Sequence, residues 1–358
     1  MASLTQTSVS ARKIIRFGIY AIILIIIGRF LLRGAVILYR RIFPAPPPKP
    51  TVAFGKLPVL PFPEKNKDRK FTFSLELPEG KLPVLPQQEE VYFMPPFESN
   101  IAIVDDAKAL ANRLGFDPEG KPIVESVPNV YVFQKRNGLS TLTMNIITGI
   151  FSINYNINAD PQVISGTPPA PDSAMSQASS YLHIGRLLST ELKDGRMTTE
   201  FLKLSGGIFS PVSSLSEADA IKVNVFRKNY GKEGNISSIT PDMPEANIWF
   251  VIAGGQRKEI IAAEYNHYPL DAGRKATYPL KTSESAFEQL KANKGFIPNA
   301  PAQDNIIIRR VYLGYYDPGQ YAQYYQPVVV FEGDNNFFGF VPAVADDFYG
   351  EVEAQNGN

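Results

Sequence analysis

The side chains that most often carry chemistry are scarce in this chain. It contains no cysteine and two histidines, His183 and His267, in 358 residues. Disulfides, thiolate zinc sites, iron–sulfur clusters and cysteine nucleophiles are therefore excluded, and a three-histidine metal site cannot be assembled. Neither histidine accompanies a recognisable nucleophile, and no phosphate-binding loop, dinucleotide fingerprint, HExxH motif or nucleophile elbow is present. The sequence predicts a protein that is not an enzyme and has no cofactor and no metal.

Two kinds of short segment resemble ligand sites only superficially. GDNN, residues 333–336, offers oxygen ligands but lacks the following glycine and the distal glutamate of a calcium loop. The glycine pairs of SGGIF, residues 205–209, and AGGQR, residues 253–257, are typical of hairpin turns rather than of phosphate-binding loops. We predict turns at all three places.

A tyrosine-rich segment is the strongest candidate for molecular recognition. Residues 312–325 read YLGYYDPGQYAQYY, with six tyrosines in 14 residues. Tyrosine combines a large contact area, a low entropic cost and a polar tip, which suits it to binding proteins or glycans. The predicted partner-binding residues are Tyr315, Tyr316, Tyr321, Tyr324 and Tyr325, with the last three favoured. The alternative is a strand with packed tyrosines, followed by a loop held by phenol hydrogen bonds.

A long apolar stretch near the N-terminus predicts a membrane anchor. Residues 14–39 read IIRFGIYAIILIIIGRFLLRGAVILY, and about 20 apolar residues cross a bilayer core. We find no small-residue cleavage site, which favours an uncleaved anchor over a signal peptide. A span over residues 14–32 is favoured over residues 17–39, since the second frame places Arg29 in mid-membrane at a cost of about 2.5–3.5 kcal/mol. Arg29 and Arg33 are expected to reach lipid phosphates, the alternative being an acidic partner helix.

Basic residues flank the predicted anchor on both sides. The flanking set comprises Arg12, Lys13, Arg16, Arg29, Arg33, Arg40 and Arg41. This near balance leaves the orientation open by charge alone. The whole chain is also balanced, with 36 basic and 35 acidic residues, which argues against nucleic acid as a partner.

The remaining pattern predicts an α+β protein, in which a proline-rich extended stalk leads to tandem units of one helix and an antiparallel meander. The helices are expected to begin at Asp105, near Asp172 or Ser173, and at Thr282 or Ser283. Asn137-Gly138 is the strongest hairpin signal. The predicted boundaries are 1–13 for a short tail, 14–39 for the anchor, 40–100 for the stalk, 101–165, 172–270 and 271–349 for the three units, and 350–358 for a disordered tail.

The predicted stalk contains the same heptapeptide twice. GKLPVLP occupies residues 55–61 and again residues 80–86. A single repetition is too little for a solenoid, which needs at least three stacked units. The two copies flank an alternating segment at residues 70–77 that predicts a strand. We interpret the copies as extended segments on either side of this strand, with binding of a partner at their exposed edges as the alternative.

The C-terminal unit resembles a known family. SESAFEQLKANKGFI, IIIRRVYLGYY and QPVVVFEGDNNFFGFVPAV are similar to the last helix-plus-three-strand unit of YycH/YycI-type proteins, over about 75 residues. The order FGKLP, GKLP and VYF also resembles single-span proteins of uncultivated small-genome bacteria that have no assigned activity. The first resemblance implies a PepSY-like shape, a cytoplasmic N-terminus and an extracytoplasmic regulator of a membrane partner. Neither family supplies catalytic residues.

Three functions are compatible with these patterns. The first is a single-pass membrane protein whose extracytoplasmic, non-enzymatic module binds or regulates an envelope partner protein. The second is a structural subunit of an envelope assembly, in which the segment 51–98 pairs with strands of its neighbours. The third and least favoured is a hydrolase acting on the cell wall.

Overall fold

The chain forms two compact units, Met1–Lys49 and Pro50–Asn358. A computed structural model describes residues 4–42, 48–64, 69–98, 101–123, 127, 129–299 and 301–350, and within the first helix the side chains of residues 17–39. Residues 43–47 of the predicted stalk and residues 351–358 of the predicted tail lie outside the described residues. So do the side chains of the flanking basic residues Arg12, Lys13, Arg16, Arg40 and Arg41.

The first unit contains one long helix, α1 (Leu4–Ile42). The helix begins at Leu4, so the described part of the predicted 1–13 tail is helical. Its segment Phe17–Tyr39 is long and apolar enough to cross a membrane, and none of it is buried. This is the second of the two frames weighed above, and it includes both Arg29 and Arg33. Membrane anchors and signal sequences share these properties of length and composition.

The second unit is rich in β-structure. Its strands are β1 (Thr72–Leu75), β2 (Gln88–Phe93), β3 (Lys121–Pro122), β4 (Val130–Gln134), β5 (Ser140–Asn145), β6 (Phe151–Tyr155), β7 (Met197–Ser205), β8 (Ile208–Val212), β9 (Ala220–Val225), β10 (Ser238–Ile239), β11 (Ile248–Ala253), β12 (Ile260–Tyr265), β13 (Asp271–Pro279), β14 (Asn305–Tyr316), β15 (Tyr324–Tyr325), β16 (Pro327–Gly333) and β17 (Phe337–Pro342). Its helices are α2 (Ile103–Arg113), α3 (Pro171–Gly185), α4 (Thr190–Lys193) and α5 (Ser283–Lys291), with 3-10 turns at Pro161–Ile164, Leu215–Glu217 and Asp346–Phe348. The predicted α+β class with an N-terminal apolar helix is confirmed.

The largest sheet joins strands from two of the predicted units. Among the described residues it has nine antiparallel strands in the order β3-β4-β5-β6-β12-β11-β9-β7-β8. Strands β3 to β6 come from the first predicted unit and the others from the second. The two groups meet where β6 pairs with β12, with Asn154 opposite Ala262 and Phe151 opposite Tyr265. The strands on either side of the predicted 165–172 boundary therefore belong to one sheet.

Two helices cover one face of the nine-stranded sheet. Their core residues are small or aliphatic and recur every three or four positions, as an amphipathic helix requires. They are Ala107, Leu110 and Ala111 of α2 and Ala174, Ala178 and Leu182 of α3. They pack on sheet residues that include Phe133, Leu142 and Phe250. All six of these side chains are buried, as the inward face of an amphipathic helix requires.

The C-terminal strands form two smaller sheets together with the segment 51–98. The first has the order β1-β14-β16-β17, with β10 also paired to β14, and the second has the order β13-β2-β15. β1 is parallel to β14 over Thr72–Leu75, and β2 lies between two partners. α5 begins as predicted at Ser283, where Thr282 Oγ1 accepts a hydrogen bond from the Ser285 N–H. The described part of the predicted stalk beyond residue 50 is thus built into the second compact unit.

The predicted turns are present at the expected residues. Gly138 has a φ of +70° between β4 and β5. Asn335 and Asn336 have φ values of +58° and +57° between β16 and β17, and the Phe337 N–H bonds the Asp334 carbonyl at 3.2 Å, as a mirror-image turn requires. Asp334, the acidic residue of GDNN, is bonded to Arg309 at 3.0 and 2.8 Å. The hairpin interpretation of GDNN is confirmed.

The two copies of GKLPVLP adopt the same local conformation. Gly55 and Gly80 have φ values of +69° and +66°, which glycine adopts without steric cost. Each glycine N–H bonds the carbonyl three residues earlier, that of Val52 at 3.1 Å and that of Leu77 at 2.9 Å. The turn and the extended prolines that follow it are therefore determined locally.

The copies differ in how deeply they are buried. In the first copy Leu57 and Leu60 are 0% and 3% exposed, whereas the corresponding leucines of the second copy are only partly buried against another core. The central valine faces solvent in both copies, with Val59 53% and Val84 98% exposed. The surroundings, rather than the heptapeptide, determine the depth of burial.

Candidate functional site

Four of the five predicted partner-binding tyrosines lie in the protein interior. Tyr315, Tyr316 and Tyr325 are 0% exposed and Tyr324 is 9% exposed, whereas Tyr321 is 42% exposed. The buried four belong to β14 and β15, which are covered on both faces. Partner binding by the tyrosine segment stays a prediction for Tyr321 alone, and the packed-strand alternative describes the others.

The buried tyrosines are held by stacking and by hydrogen bonds. The rings of Tyr315 and Tyr325 stack with centroids 4.9 Å apart. Tyr315 Oη donates to the Glu90 carbonyl at 2.6 Å, and Tyr325 Oη lies 2.7 Å from Ser238 Oγ. Burial raises the pKa of both phenols. They are neutral hydrogen-bonding groups of the core.

A cluster of charged side chains is buried where β9, β12, β14 and α4 end. We call Arg227, Glu191, Asp317, His267 and Tyr230 the Arg227 cluster; all five are less than 10% exposed. Arg227 Nε donates to Asp317 Oδ2 and Arg227 Nη1 to Glu191 Oε2, both at 2.7 Å. Arg227 Nη2 donates to the Tyr268 carbonyl at 2.5 Å. Tyr230 Oη donates to Glu191 Oε2 at 2.9 Å.

The protonation states of the cluster follow from its burial and its charges. Burial by itself would raise the pKa of Glu191, but His267 and Arg227 outweigh it and hold the pKa at about 2. Burial lowers the pKa of His267, and Arg227 lowers it further. His267 Nε2 lies 3.3 Å from Glu191 Oε1 but makes no hydrogen bond. The cluster is therefore one guanidinium paired with two carboxylates beside a neutral imidazole, and these ion pairs connect the four elements.

An open polar site lies at one end of the nine-stranded sheet. There the β6–β12 pairing ends at Asn154 opposite Ala262, whereas β5 and β6 stay paired as far as Ser140 opposite Tyr155. The connection between β11 and β12, residues 254–259, thus separates from β6. Two cavities open on either side of it.

The glycine pair of AGGQR holds this connection in place. A Cβ atom on Gly254 would lie 2.1 Å from the Gly166 carbonyl oxygen, and one on Gly255 would lie 2.3 Å from the Val163 carbonyl oxygen. Both distances are far below van der Waals contact, so only glycine allows the two backbones to approach. The predicted turn is confirmed, and its glycines also dock it on the residues 163–166.

The two cavities share the residues Arg257, Lys258 and Glu259, and we call them together the double cavity. The larger has a volume of about 460 Å³ and the smaller about 260 Å³. Cavities of roughly 300–1,000 Å³ are typical of ligand sites. Lys258 has a φ of +49°, and its Nζ atom donates to the Gly254 carbonyl at 2.9 Å and to the Thr167 carbonyl. Its ammonium group therefore fixes the shared wall.

The smaller cavity has a mixed lining, with Lys135, Gln177, Arg257, Lys258 and Glu259 on its polar side. Phe116, Tyr181, Ile153 and Ile260 line it. Ser140 also lines it, is 0% exposed, and has no hydrogen-bond partner for its Oγ atom. Buried hydroxyls nearly always have partners, so Ser140 Oγ is an exception among the described residues.

The larger cavity is lined mainly by neutral amides and by paired charges. Tyr155 Oη donates to Asp160 Oδ2 at 2.8 Å, and burial together with this carboxylate raises the pKa of the phenol to about 12. Lys135 Nζ lies 3.4 Å from Glu259 Oε2. Arg257 is the most open charged group, with its side chain 83% exposed and 3.9 Å from Glu259. These pairs suit binding and offer no adjacent nucleophile and base.

No local pattern of residues predicts the Arg227 cluster or the double cavity. Arg227 and its partners Glu191 and Asp317 are 36 and 90 positions apart, so no local spacing connects them. Ser140 is an ordinary strand serine in sequence. Of these residues, the sequence singles out His267, without a role, and the glycine pair at residues 254–255, which predicts a turn.

Comparison with solved structures finds a distant structural similarity. No family model and no curated protein matches the chain. The C-terminal domain of YpeB from Bacillus megaterium matches with a TM-score of 0.34 and 11% identity, covering 71% of this chain and 96% of that domain. At this TM-score the match transfers no residue role and no function.

Proposed function

We propose that this protein is a single-pass membrane protein whose second unit lies outside the cytoplasm and binds or regulates a partner protein of the cell envelope without catalysis. The apolar span Phe17–Tyr39, none of which is buried, carries this proposal. An exposed apolar surface of that length is unfavourable in water and favourable in a bilayer. The lipid bilayer is thus the first partner.

The polar surfaces of the second unit support binding rather than catalysis. The charged groups of the double cavity are already paired within the chain. Tyr321, at 42% exposure, is the remaining partner-binding candidate of the tyrosine segment. Its ring centroid lies 6.4 Å from that of Tyr268, which gives it a supported position on the surface. A partner that contacts Tyr321 would bury it with little loss of side-chain entropy.

The alternative of a structural subunit that lends strands from the segment 51–98 is less well supported. β2 is occupied on both edges, by β13 and β15, and β1 pairs with β14. These strands complete the sheets of their own chain. Lending them to a neighbour would require those sheets to open.

Site-directed labelling tests the orientation, and the lack of cysteine in the chain gives a clean background. Tyr321→Cys in intact cells is expected to react with a membrane-impermeant maleimide, because residue 321 would lie outside. Thr5→Cys, in the helix before the span, is the matched control and is expected to react only after lysis. The reverse pattern would refute the extracytoplasmic assignment.

Photo-crosslinking tests the partner. A photoreactive amino acid at residue 320 is expected to capture an envelope protein in intact cells, and Tyr321→Ala is expected to reduce the capture. The same amino acid at Ile208, which is 70% exposed, controls for random collision. Equal capture at both positions, or capture unaffected by Tyr321→Ala, would remove Tyr321 from the proposal.

A further inference from the structure

The first copy of GKLPVLP holds an extended segment from the C-terminal end of the second unit. The Leu57 N–H donates to the Phe348 carbonyl at 2.8 Å, and the Leu57 carbonyl accepts from the Gly350 N–H at 3.1 Å. These two bonds form a parallel β-bridge between Leu57 and Tyr349. The Leu60 N–H completes the contact by donating to Tyr349 Oη at 2.9 Å. All three groups that the heptapeptide contributes belong to its backbone.

The second copy has the same three backbone groups without partners. Leu82 and Leu85 occupy the positions of Leu57 and Leu60 in the repeated sequence. Among the residues that the structure describes, no hydrogen bond reaches the N–H groups of Leu82 and Leu85 or the Leu82 carbonyl. Both leucines are only partly buried. The second copy therefore has the edge that the first copy uses, and no described segment is paired to it.

Local chemistry gives both copies the same extended course. Proline fixes its own φ at about −65° and favours an extended conformation for the residue before it. In each copy a side chain anchors the carbonyl of the first proline: Gln326 Nε2 donates to Pro58 at 3.0 Å, and Ser283 Oγ donates to Pro83 at 2.5 Å. Successive peptide groups of an extended chain point to opposite edges. The free groups of Leu82 therefore point away from the anchor at Ser283.

The occupant of the first copy indicates what the second copy would bind. Pairing at Leu82 requires only an extended segment, because main-chain bonds are available from any sequence. The Leu85 N–H adds selectivity, since its counterpart at Leu60 bonds a phenol oxygen. Val84 is 98% exposed, against 53% for Val59 in the occupied copy, which agrees with an uncovered surface.

We infer that residues 80–86 bind an extended, tyrosine-containing segment of a partner protein, which pairs with Leu82 through its backbone and places its phenol oxygen on the Leu85 N–H. This inference rests on the proposed binding function and specifies the chemistry of the partner segment. A second copy of this chain would have to withdraw its own Tyr349 from Leu60 to supply the segment. The prolines at positions 83 and 86 cannot donate, so the pairing is limited to a short bridge and is reversible.

Methyl NMR of the full chain in lipid nanodiscs tests the inference. The probe is the sequence of residues 347–350, Asp-Phe-Tyr-Gly, as an N-acetylated and amidated peptide. The methyl signals of Val84 are expected to shift on titration, and those of Val59, its counterpart in the occupied copy, are expected to stay in place. A peptide with phenylalanine in place of tyrosine is expected to bind about three- to tenfold more weakly, since it lacks one neutral hydrogen bond. Leu85→Pro removes the N–H but keeps an extended backbone, and it is expected to abolish this preference.

The other outcomes overturn the inference in distinct ways. An absent Val84 shift refutes binding at the second copy, and equal shifts at Val59 and Val84 refute its selectivity. Equal affinity of the unmodified chain for the two peptides refutes the tyrosine assignment and requires no variant to fold. A preference that survives Leu85→Pro refutes the role of Leu85. Val84 signals that move with protein concentration alone identify a second copy of this chain as the occupant, and signals that move when residues 351–358 are removed identify the chain's own end.

Failure of this inference is distinguishable from failure of the proposed function. Absence of peptide binding, with residue 321 outside the cytoplasm in the labelling experiment, refutes the inference alone. Peptide binding, with residue 321 inside the cytoplasm, refutes the envelope assignment alone.

Discussion

The Arg227 cluster and the double cavity both combine arginine, carboxylates and a tyrosine. They differ in whether the arginine is buried and paired or exposed to solvent. In the cluster, all three donor groups of the guanidinium have partners. In the double cavity, Arg257 is 83% exposed and Ser140 Oγ has no partner. His267 Nε2 in the cluster also lacks a partner, so the contrast concerns the charged groups: breaking a buried ion pair is costly, whereas removing an exposed charge is not. The following predictions test this contrast through matched substitutions in the full chain, with Trp249, its single tryptophan, as the fluorescent reporter of unfolding.

The largest difference is expected between the two arginines. Arg227→Met leaves the carboxylates of Glu191 and Asp317 buried without their cation, and we expect it to lower the free energy of unfolding by about 3–5 kcal/mol. Arg257→Met, at an exposed site, is expected to change it by less than about 0.5 kcal/mol. Urea titration of both variants measures the difference. Similar losses in the two variants would contradict the contrast.

Acid is expected to destabilise the closed cluster. The pKa of Glu191 is held at about 2 against a reference of 4.5, so its contribution is present above pH 4.5 and is lost as the pH falls toward 2. At about 1.4 kcal/mol per pKa unit, this amounts to about 3 kcal/mol. The lowered pKa of His267 acts in the same direction from pH 6.5 downward, because the unfolded chain binds the proton first. Glu191→Gln is expected to flatten the pH dependence of the free energy of unfolding between 4.5 and 2; an unchanged slope would refute the assignment.

Two matched tyrosines are expected to differ more modestly. Tyr230 and Tyr155 each donate to a carboxylate, at 2.9 and 2.8 Å. The partner of Tyr230 is buried, so Tyr230→Phe is expected to cost about 1.5–3 kcal/mol. Tyr155→Phe is expected to cost about 0.5–1 kcal/mol, since water reaches Asp160 and can replace the phenol. A larger cost at Tyr155 in urea titration would reverse the comparison.

The smallest changes in the free energy of unfolding are expected at two buried serines, and they are expected to have opposite signs. Ser238 Oγ lies 2.7 Å from Tyr325 Oη, and Ser238→Ala is expected to cost about 1 kcal/mol. Ser140→Ala removes a hydroxyl that has no partner and is expected to be neutral or to stabilise by up to about 1 kcal/mol. Thermal unfolding of the two variants, measured side by side, shows the sign. A clear destabilisation by Ser140→Ala would mean that its hydroxyl is satisfied in the unliganded protein.

Features set by neighbouring residues were predictable from the sequence, and features set by distant residues were not. Asn137-Gly138, the GDNN turn and the Thr282 cap depend on a few consecutive residues, and all were found where predicted. The pairing of β6 with β12 and of β1 with β14 depends on which strand edges meet after the chain has collapsed. Those pairings joined the predicted first and second units in one sheet and built the described part of the stalk beyond residue 50 into the second unit.

The candidate site was predictable only in part for the same reason. A tyrosine-rich segment has the same sequence pattern whether one or both faces of its strand are buried. Here four of the five tyrosines are buried. The sequence likewise does not distinguish an exposed serine hydroxyl from a buried one without a hydrogen-bond partner. The surroundings of Ser140 include Phe116 and Tyr181, which are distant in the sequence. The apolar span could be recognised because about 20 consecutive apolar residues are a property of composition.

The doubled heptapeptide gives this protein a built-in control experiment. Residues 55–61 and 80–86 are chemically identical and begin with glycines of the same conformation, yet Leu57 is 0% exposed while its counterpart Leu82 is only partly buried. When amide hydrogen-exchange rates are compared between corresponding residues of the two copies, the intrinsic exchange rate set by the sequence therefore cancels. What remains is the free energy of local opening that the surrounding fold imposes, and it is measured within a single molecule.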